Sequence, residues 1–359
     1  MSNPEQRPQQ LTCTSAVPEG AGVEVMAPRE VPLGGPRAMT VRRTLPQRQR
    51  SLIGAWCFLD HYGPDPVAQT GGMKVAPHPH TGLQTVSWLF EGEIEHRDSA
   101  GNHALVRPGE VNLMTAGRGI SHSEVSTATT TDLHGAQLWV ALPDESRHTD
   151  PGFEHYAPPE VAGDGWRGRV FLGTLLGETS PVTTYTPLLG AEVVLDPGVV
   201  LPMEVDASFE HGVLVDLGSV VVDGVTAGRA DLAYAPPGDG TLVLTAGDEG
   251  ARVLVIGGPP FGEAIVMWWN FVGRTHEEVV GYREEWQAQV LADDGAAGAG
   301  GAERSPGQAG GLREEGEQPL RVVEDAQQVR PGRFGVVAGD HLAPIPAPVL
   351  PNARLRERS

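Results

Sequence analysis

Two short segments of this sequence carry residues of the right type and spacing to converge on a metal ion. His78 and His80 lie in APHPHTGLQTVSWLFEGEIEH, residues 76–96, and His122 and Glu124 lie in MTAGRGISHSEVS. Successive side chains of an extended chain point to opposite faces, so residues two apart share one. On that spacing His78 and His80 present two imidazoles to one side, with the ring of Pro79 turned away. A second strand presents the His122 imidazole and the Glu124 carboxylate in the same manner. Three neutral imidazoles and one carboxylate suit Fe(II), and also Mn, Co, Ni or Cu, and leave positions in an octahedral site for water, substrate or dioxygen. A closed structural zinc site more often uses cysteine thiolates. The set therefore points to an open, reactive centre. His61, His96, His103, His134, His155, His211 and His276 are expected to be surface or hydrogen-bonded residues, none having a partner at ligand spacing.

The elements that must position these residues are strands. From about Gly22 to Leu142 short apolar runs alternate with Gly, Pro and Asp, as in WCFLDHYGPD, TVSWLFEGEIEHRD, ALVRPGEVNLMTAG and GAQLWVALP. Runs this short between turn residues predict a β-sandwich or barrel. FEGEIEHRDSAGNHALV predicts a hairpin with a glycine at each bend, and RPGEV a tight turn. The same grammar returns from about Gly173 to Gly258. Laying Gly92 on Gly218 aligns FEGEIEHRD with DLGSVVVDG and brings the Pro108-Gly109 turn near Pro237-Gly238, which predicts a duplicated β-domain. At the positions of His78 and His80 the second copy has Glu204 and Asp206, so only the first copy is expected to hold metal. Thr275 and Glu278 form a capping box before Val279, Tyr282, Trp286 and Val290, whose spacing predicts one amphipathic closing helix. The expected order is a flexible leader (1–21), a metal-binding domain (22–150), a second domain with its helix (151–292), a disordered linker (293–318) and an extended, proline-rich strap (319–359).

With 359 residues, 40% of them hydrophobic, the chain can bury a sizeable core. Lys and Arg number 26 against 46 Asp and Glu, a formal charge of −20 that would repel a nucleic-acid backbone. No secretory signal pattern and no membrane-spanning apolar run is present, and Cys13 and Cys57 cannot make a disulfide framework. A cytoplasmic protein with no direct nucleic-acid or membrane partner is expected.

HPHTGLQTVSWLFEGEIEHRDSAGN, PGEVNLMTAGRGISHSE and QLWVALP together resemble the signature of pirin-family proteins of the cupin superfamily, and MWWNFVGRTHEEVVGYREEW resembles the end of the second domain in bacterial members. The likeness runs from about residue 22 to 292. It implies an all-β bicupin, two antiparallel β-barrels with one iron in the first, held by His78, His80, His122 and Glu124. The family commonly has Glu where this chain has Gln84, a change expected to alter polarity around the metal without removing a ligand. The resemblance also implies quercetin 2,3-dioxygenase-type activity, in which dioxygen opens the heterocycle of a flavonol with loss of carbon monoxide. Glu124 is then both ligand and candidate general base. The alternative is a non-enzymatic metal- or redox-sensing regulator that binds a protein partner. The enzyme reading is favoured, with the substrate a flavonol or another oxygen-bearing chelate.

Overall fold

The computed structural model describes residues 22–33, 39–299 and 332–357. The expected leader, the expected linker beyond Ala299 and the expected strap up to residue 331 lie outside the described residues. The first half is built from β1 (Glu24–Met26), β2 (Arg29–Leu33), β3 (Met39–Leu45), β4 (Trp56–Pro66), β5 (Lys74–His80), β6 (Leu83–Glu91), β7 (Ile94–Asp98), β8 (His103–Val106), β9 (Val111–Thr115), β10 (Ile120–Ser126), β11 (Asp132–Ala141) and β12 (Gly152–Tyr156). All but β1 belong to two antiparallel sheets. One has seven strands in the order β12-β9-β6-β11-β4-β3-β2, and the other has four in the order β5-β10-β7-β8.

The seven-stranded sheet is covered on both faces, which explains why β6 and β11 read as near-continuous apolar runs rather than as alternating ones. Val86, Trp88, Leu138 and Val140 pack against Phe171, Leu172, Leu214, Leu254 and Ile256 of the second half. The intervening Trp139 packs inward with Phe58, Leu83, Met114 and Ile120. The glycines expected at the bends of the β6–β7–β8 meander, Gly92 and Gly101, both have left-handed φ, at 87° and 95°.

The second half is a nine-stranded sheet around a core of Val193, Val213, Val215, Val253 and Val255. Its long strands, Glu210–Val222 and Thr241–Gly258, pair along most of their length. Their register shifts on both sides of Gly218, whose φ is 71° and where an added Cβ would lie 2.0 Å from the Gly250 carbonyl oxygen. A bulge there bends the sheet as a barrel wall requires, and only glycine fits it.

Strand pairing does not follow a boundary at residue 150. β12 pairs with β9 of the first half, whereas β1 pairs with Leu232–Ala235 of the second. The expected capping box is present: Thr275 Oγ1 accepts from Glu278 N at 3.2 Å, and Glu278 Oε2 accepts from Thr275 N at 3.4 Å and also from Arg274 N at 2.7 Å. The helix, His276–Ala299, buries Val279, Tyr282, Trp286 and Val290 against Val266, Trp268 and Phe271. Its backbone continues past residue 293, so the first residues of the expected linker are helical. Among the described residues no helix is long and apolar enough to cross a membrane.

Candidate metal centre

The register of the four-stranded sheet decides what the sequence left open. On β10, His122 lies directly opposite His78 of β5, and Ile120 lies opposite His80. On its other side His122 pairs with Asp98 and Glu124 with His96, both on β7. The i, i+2 pairs of three neighbouring strands therefore share one face. His78 and His122 have ring centroids 4.3 Å apart, and each is 5.0 Å from His80. One nitrogen from each of the three lies within 4.8 Å of the others, and all three residues are buried.

The hydrogen bonds on the far side of each ring set its tautomer. His78 Nδ1 is 2.9 Å from the Ala76 carbonyl and His80 Nδ1 is 3.2 Å from the Asn270 carbonyl. A carbonyl only accepts, so both Nδ1 atoms carry the proton. His122 Nδ1 is 3.4 Å from His96 Nδ1, and His96 Nε2 is 3.3 Å from Asp98 Oδ2. Burial alone would raise the Asp98 carboxyl, but hydrogen bonds from His96 and Asn102 outweigh it and keep the group ionised. His96 must then donate from Nε2, so its Nδ1 accepts from His122. All three Nε2 atoms are left as buried lone pairs with no hydrogen-bond partner. Burial pushes the His78 imidazole down to about 3, and burial together with the neighbouring imidazoles holds His80 and His122 well below the usual histidine range. Neutral, tautomer-locked and unpartnered imidazoles are what a transition-metal ion requires, and burying three such atoms without a partner is costly. The donor set fits a metal.

Glu124 follows His122 on the same strand, opposite His96 of β7. It falls in a second group with His96 and His122, joined to the first through His122, and the register between His122 and Glu124 is broken by a bulge. His96, expected to be a surface or hydrogen-bonded residue, is buried here, and His96-Arg97-Asp98 has the same i, i+2 spacing as the other two pairs. Gln84 does not alter the polarity of this face. It pairs with Thr115 and Val140 on the outer side of the seven-stranded sheet, and its Nε2 donates to Thr115 Oγ1 at 3.0 Å. In the second half Glu204 and Asp206 are exposed, and Asp206 accepts from Ser208 at 2.6 Å.

A third group of metal-ligating types, His61, His134 and Asp216, is buried between the halves. Its hydrogen bonds have the opposite polarity. Arg42 Nε donates to His61 Nδ1 at 3.3 Å and Arg252 Nη2 lies 3.4 Å from His134 Nδ1. Guanidinium only donates, so both Nε2 atoms carry the proton in the neutral rings; His61 Nε2 donates to Asp216 Oδ1 at 2.7 Å, and His134 Nε2 lies 2.5 Å from the same oxygen as an ion-pair contact out of line for a hydrogen bond. Arg252 Nε reaches Asp216 Oδ2 at 2.5 Å. With the lone pairs taken by guanidinium, this group is a latch between the halves rather than a cation site.

Two antiparallel barrels, the first with a buried histidine centre on one sheet, define a bicupin. Residues 38–140 match the family model Pirin and residues 190–292 match the Pirin C-terminal cupin domain, and the chain belongs to the pirin family. It is 45% identical over 260 residues, 72% of this chain and 82% of the other, to a Pseudomonas aeruginosa protein named "Putative quercetin 2,3-dioxygenase". Among solved structures it is similar to a quercetin 2,3-dioxygenase from Acinetobacter baumannii, with TM-score 0.77, 36% identity and coverage of 94% and 98% of the two chains. A bacterial pirin from Escherichia coli in complex with nickel(II) shares the fold, at TM-score 0.52, 20% identity and coverage of 66% and 99%.

Proposed function

We propose that the chain is a metal-dependent dioxygenase of the quercetin 2,3-dioxygenase type, acting on a flavonol or a similar oxygen-bearing chelate. The observation that carries this reading is the convergence of three buried, unpartnered Nε2 atoms on one face of the first barrel. His78, His80 and His122 would hold the ion, with Glu124 beside His122 as carboxylate ligand, and Fe(II) is favoured over Mn, Co, Ni or Cu. When bound, such an ion supplies a Lewis-acidic and redox-active centre for a reaction with dioxygen. The chain's own residues do the rest. His96 and Asp98 fix the His122 tautomer, and the Glu124 carboxylate takes the proton of a substrate hydroxyl. Trp139, stacked on Phe58 at 4.0 Å and roughly perpendicular to the His80 ring at 5.1 Å, buttresses the imidazole cluster from the core.

Metal analysis of the purified protein followed by oxygen uptake across a flavonol panel tests the reading. Glu124→Gln keeps the three imidazoles and removes the base, so metal content should fall modestly while turnover falls by about 100-fold or more. A metal-loaded wild type that is inert across the panel would overturn the enzyme reading and favour the regulatory alternative. Turnover by metal-loaded Glu124→Gln at the wild-type rate would remove Glu124 as the base.

A further inference from the structure

We propose that the C-terminal strap, residues 332–357, is a positioning part of the metal centre and sets how tightly the three imidazoles hold the ion. The inference rests on the metal assignment above. β5, which carries two of the imidazoles, is an edge strand with β10 as its one ladder neighbour among the described residues. Pro77 and Pro79 also deprive it of two backbone donors, so its own ladder holds it weakly. The other edge is held by segments from the far end of the chain. Ile345 N donates to the Pro77 carbonyl at 2.8 Å, and Val272 N donates to the Thr81 carbonyl at 3.1 Å.

The strap touches the neighbour of each residue that fixes an imidazole. Pro77 immediately precedes His78. Ser121 immediately precedes His122, and its hydroxyl donates to the Phe334 carbonyl at 3.0 Å. Phe334 is buried with ring centroids 5.8 Å from Phe271 and 5.5 Å from Trp286, and Phe271 follows Asn270, whose carbonyl holds His80 Nδ1. Gly335, with φ 63°, lies so close to Ser99 that an added Cβ would be 2.8 Å from the Ser99 Cβ, and Ser99 follows Asp98. The strap is itself anchored on the helix. Trp286 Nε1 donates to the Ile345 carbonyl at 2.8 Å, Arg283 Nε donates to the Pro348 carbonyl at 2.7 Å, and Arg333 pairs with Glu285. One segment thereby ties the helix, the Phe271 hairpin and the metal-bearing sheet into a single support. Outer contacts of this kind typically change metal affinity by about 10- to 100-fold.

The test uses the full chain loaded with Co(II), whose visible absorption reports ligand geometry. Phe334→Ala removes the anchor, and Phe334→Leu restores most of its apolar bulk. Ile345→Pro, between Pro344 and Pro346 in an extended run, removes the donor to Pro77. Val349→Ala, at a residue 81% exposed, is the control. Phe334→Ala should lose Co(II) to excess chelator about tenfold faster with an altered absorption band, Phe334→Leu should recover most of the wild-type rate, and Ile345→Pro should fall between them. Val349→Ala should match the wild type. Should Phe334→Ala fail to fold, Ile345→Pro decides. Wild-type rates and spectra in the folded variants would overturn the strap proposal alone; a wild type that takes up no Co(II) would overturn the metal assignment and the strap with it.

Discussion

His78, His80 and His122 in the first barrel, and His61, His134 and Asp216 between the halves, are alike in burial and residue type. They differ in which ring atom carries the proton. In the first group carbonyls and the His96–Asp98 pair take the Nδ1 protons, leaving Nε2 lone pairs that face one another. In the second group guanidinium groups face Nδ1, and both Nε2 atoms face one carboxylate oxygen, His61 through a hydrogen bond and His134 through an ion-pair contact. The partner on the back of a histidine therefore decides whether its front can take a cation or must meet an anion. Residue type and proximity alone cannot distinguish the two.

The largest effect should come from the first group. His78→Ala with His80→Ala removes two of three imidazoles, and elemental analysis should fall from one equivalent per chain to none. Two equivalents in the wild type, or one retained in the double variant, would break the comparison by placing metal elsewhere. The matching change in the latch is Asp216→Asn, which removes the charge that two imidazole N–H groups and Arg252 share. Losing one partner of such a buried network should cost about 3 kcal/mol of unfolding free energy in urea. Metal content should stay at one equivalent. A loss of metal on this substitution would mean that Asp216 belongs to a cation site after all.

Much of the centre was legible in the sequence because strands have a period of two. His78/His80 and His122/Glu124 could be read as same-face pairs, and the glycine-punctuated apolar runs gave a two-barrel all-β fold, helix included. Register was not legible, since His122 meets His78 through ladder bonds between segments far apart in sequence. The Gln84 expectation failed for the same reason: proximity in sequence to His80 carried no information about which side of a different sheet it faces. His96 and Asp98 carry the same two-residue spacing, but that spacing alone does not mark them as a support for His122. His61, His134 and Asp216 come singly from three strands in two halves, so no local pattern marks them. The strap could be read as extended and docking from its prolines, but not as reaching the residues beside each imidazole.

The smallest effect, and the one that sharpens the contrast most, is in pH dependence. Burial dominates at His61 and lowers it from its ordinary value to about 4, against the pull of Asp216; Arg42 and His134 add to the lowering. Arg252 and Arg229 also bond Asp216, through its carboxylate and its backbone carbonyl, and both are permanently charged. Since the folded value lies below the unfolded one, the unfolded chain binds the proton first as pH falls. The contribution of neutral His61 is thus complete above about pH 6.5 and declines progressively as pH falls towards 4. Between pH 7 and 5 it should account for about 2 kcal/mol of lost stability. His61→Gln keeps an amide donor for Asp216 but does not titrate, so urea unfolding of this variant should lose about that much less than the wild type over the interval. Parallel curves for the two proteins would show that His61 is not held neutral, and the latch would then lose the opposite polarity that separates it from the metal centre.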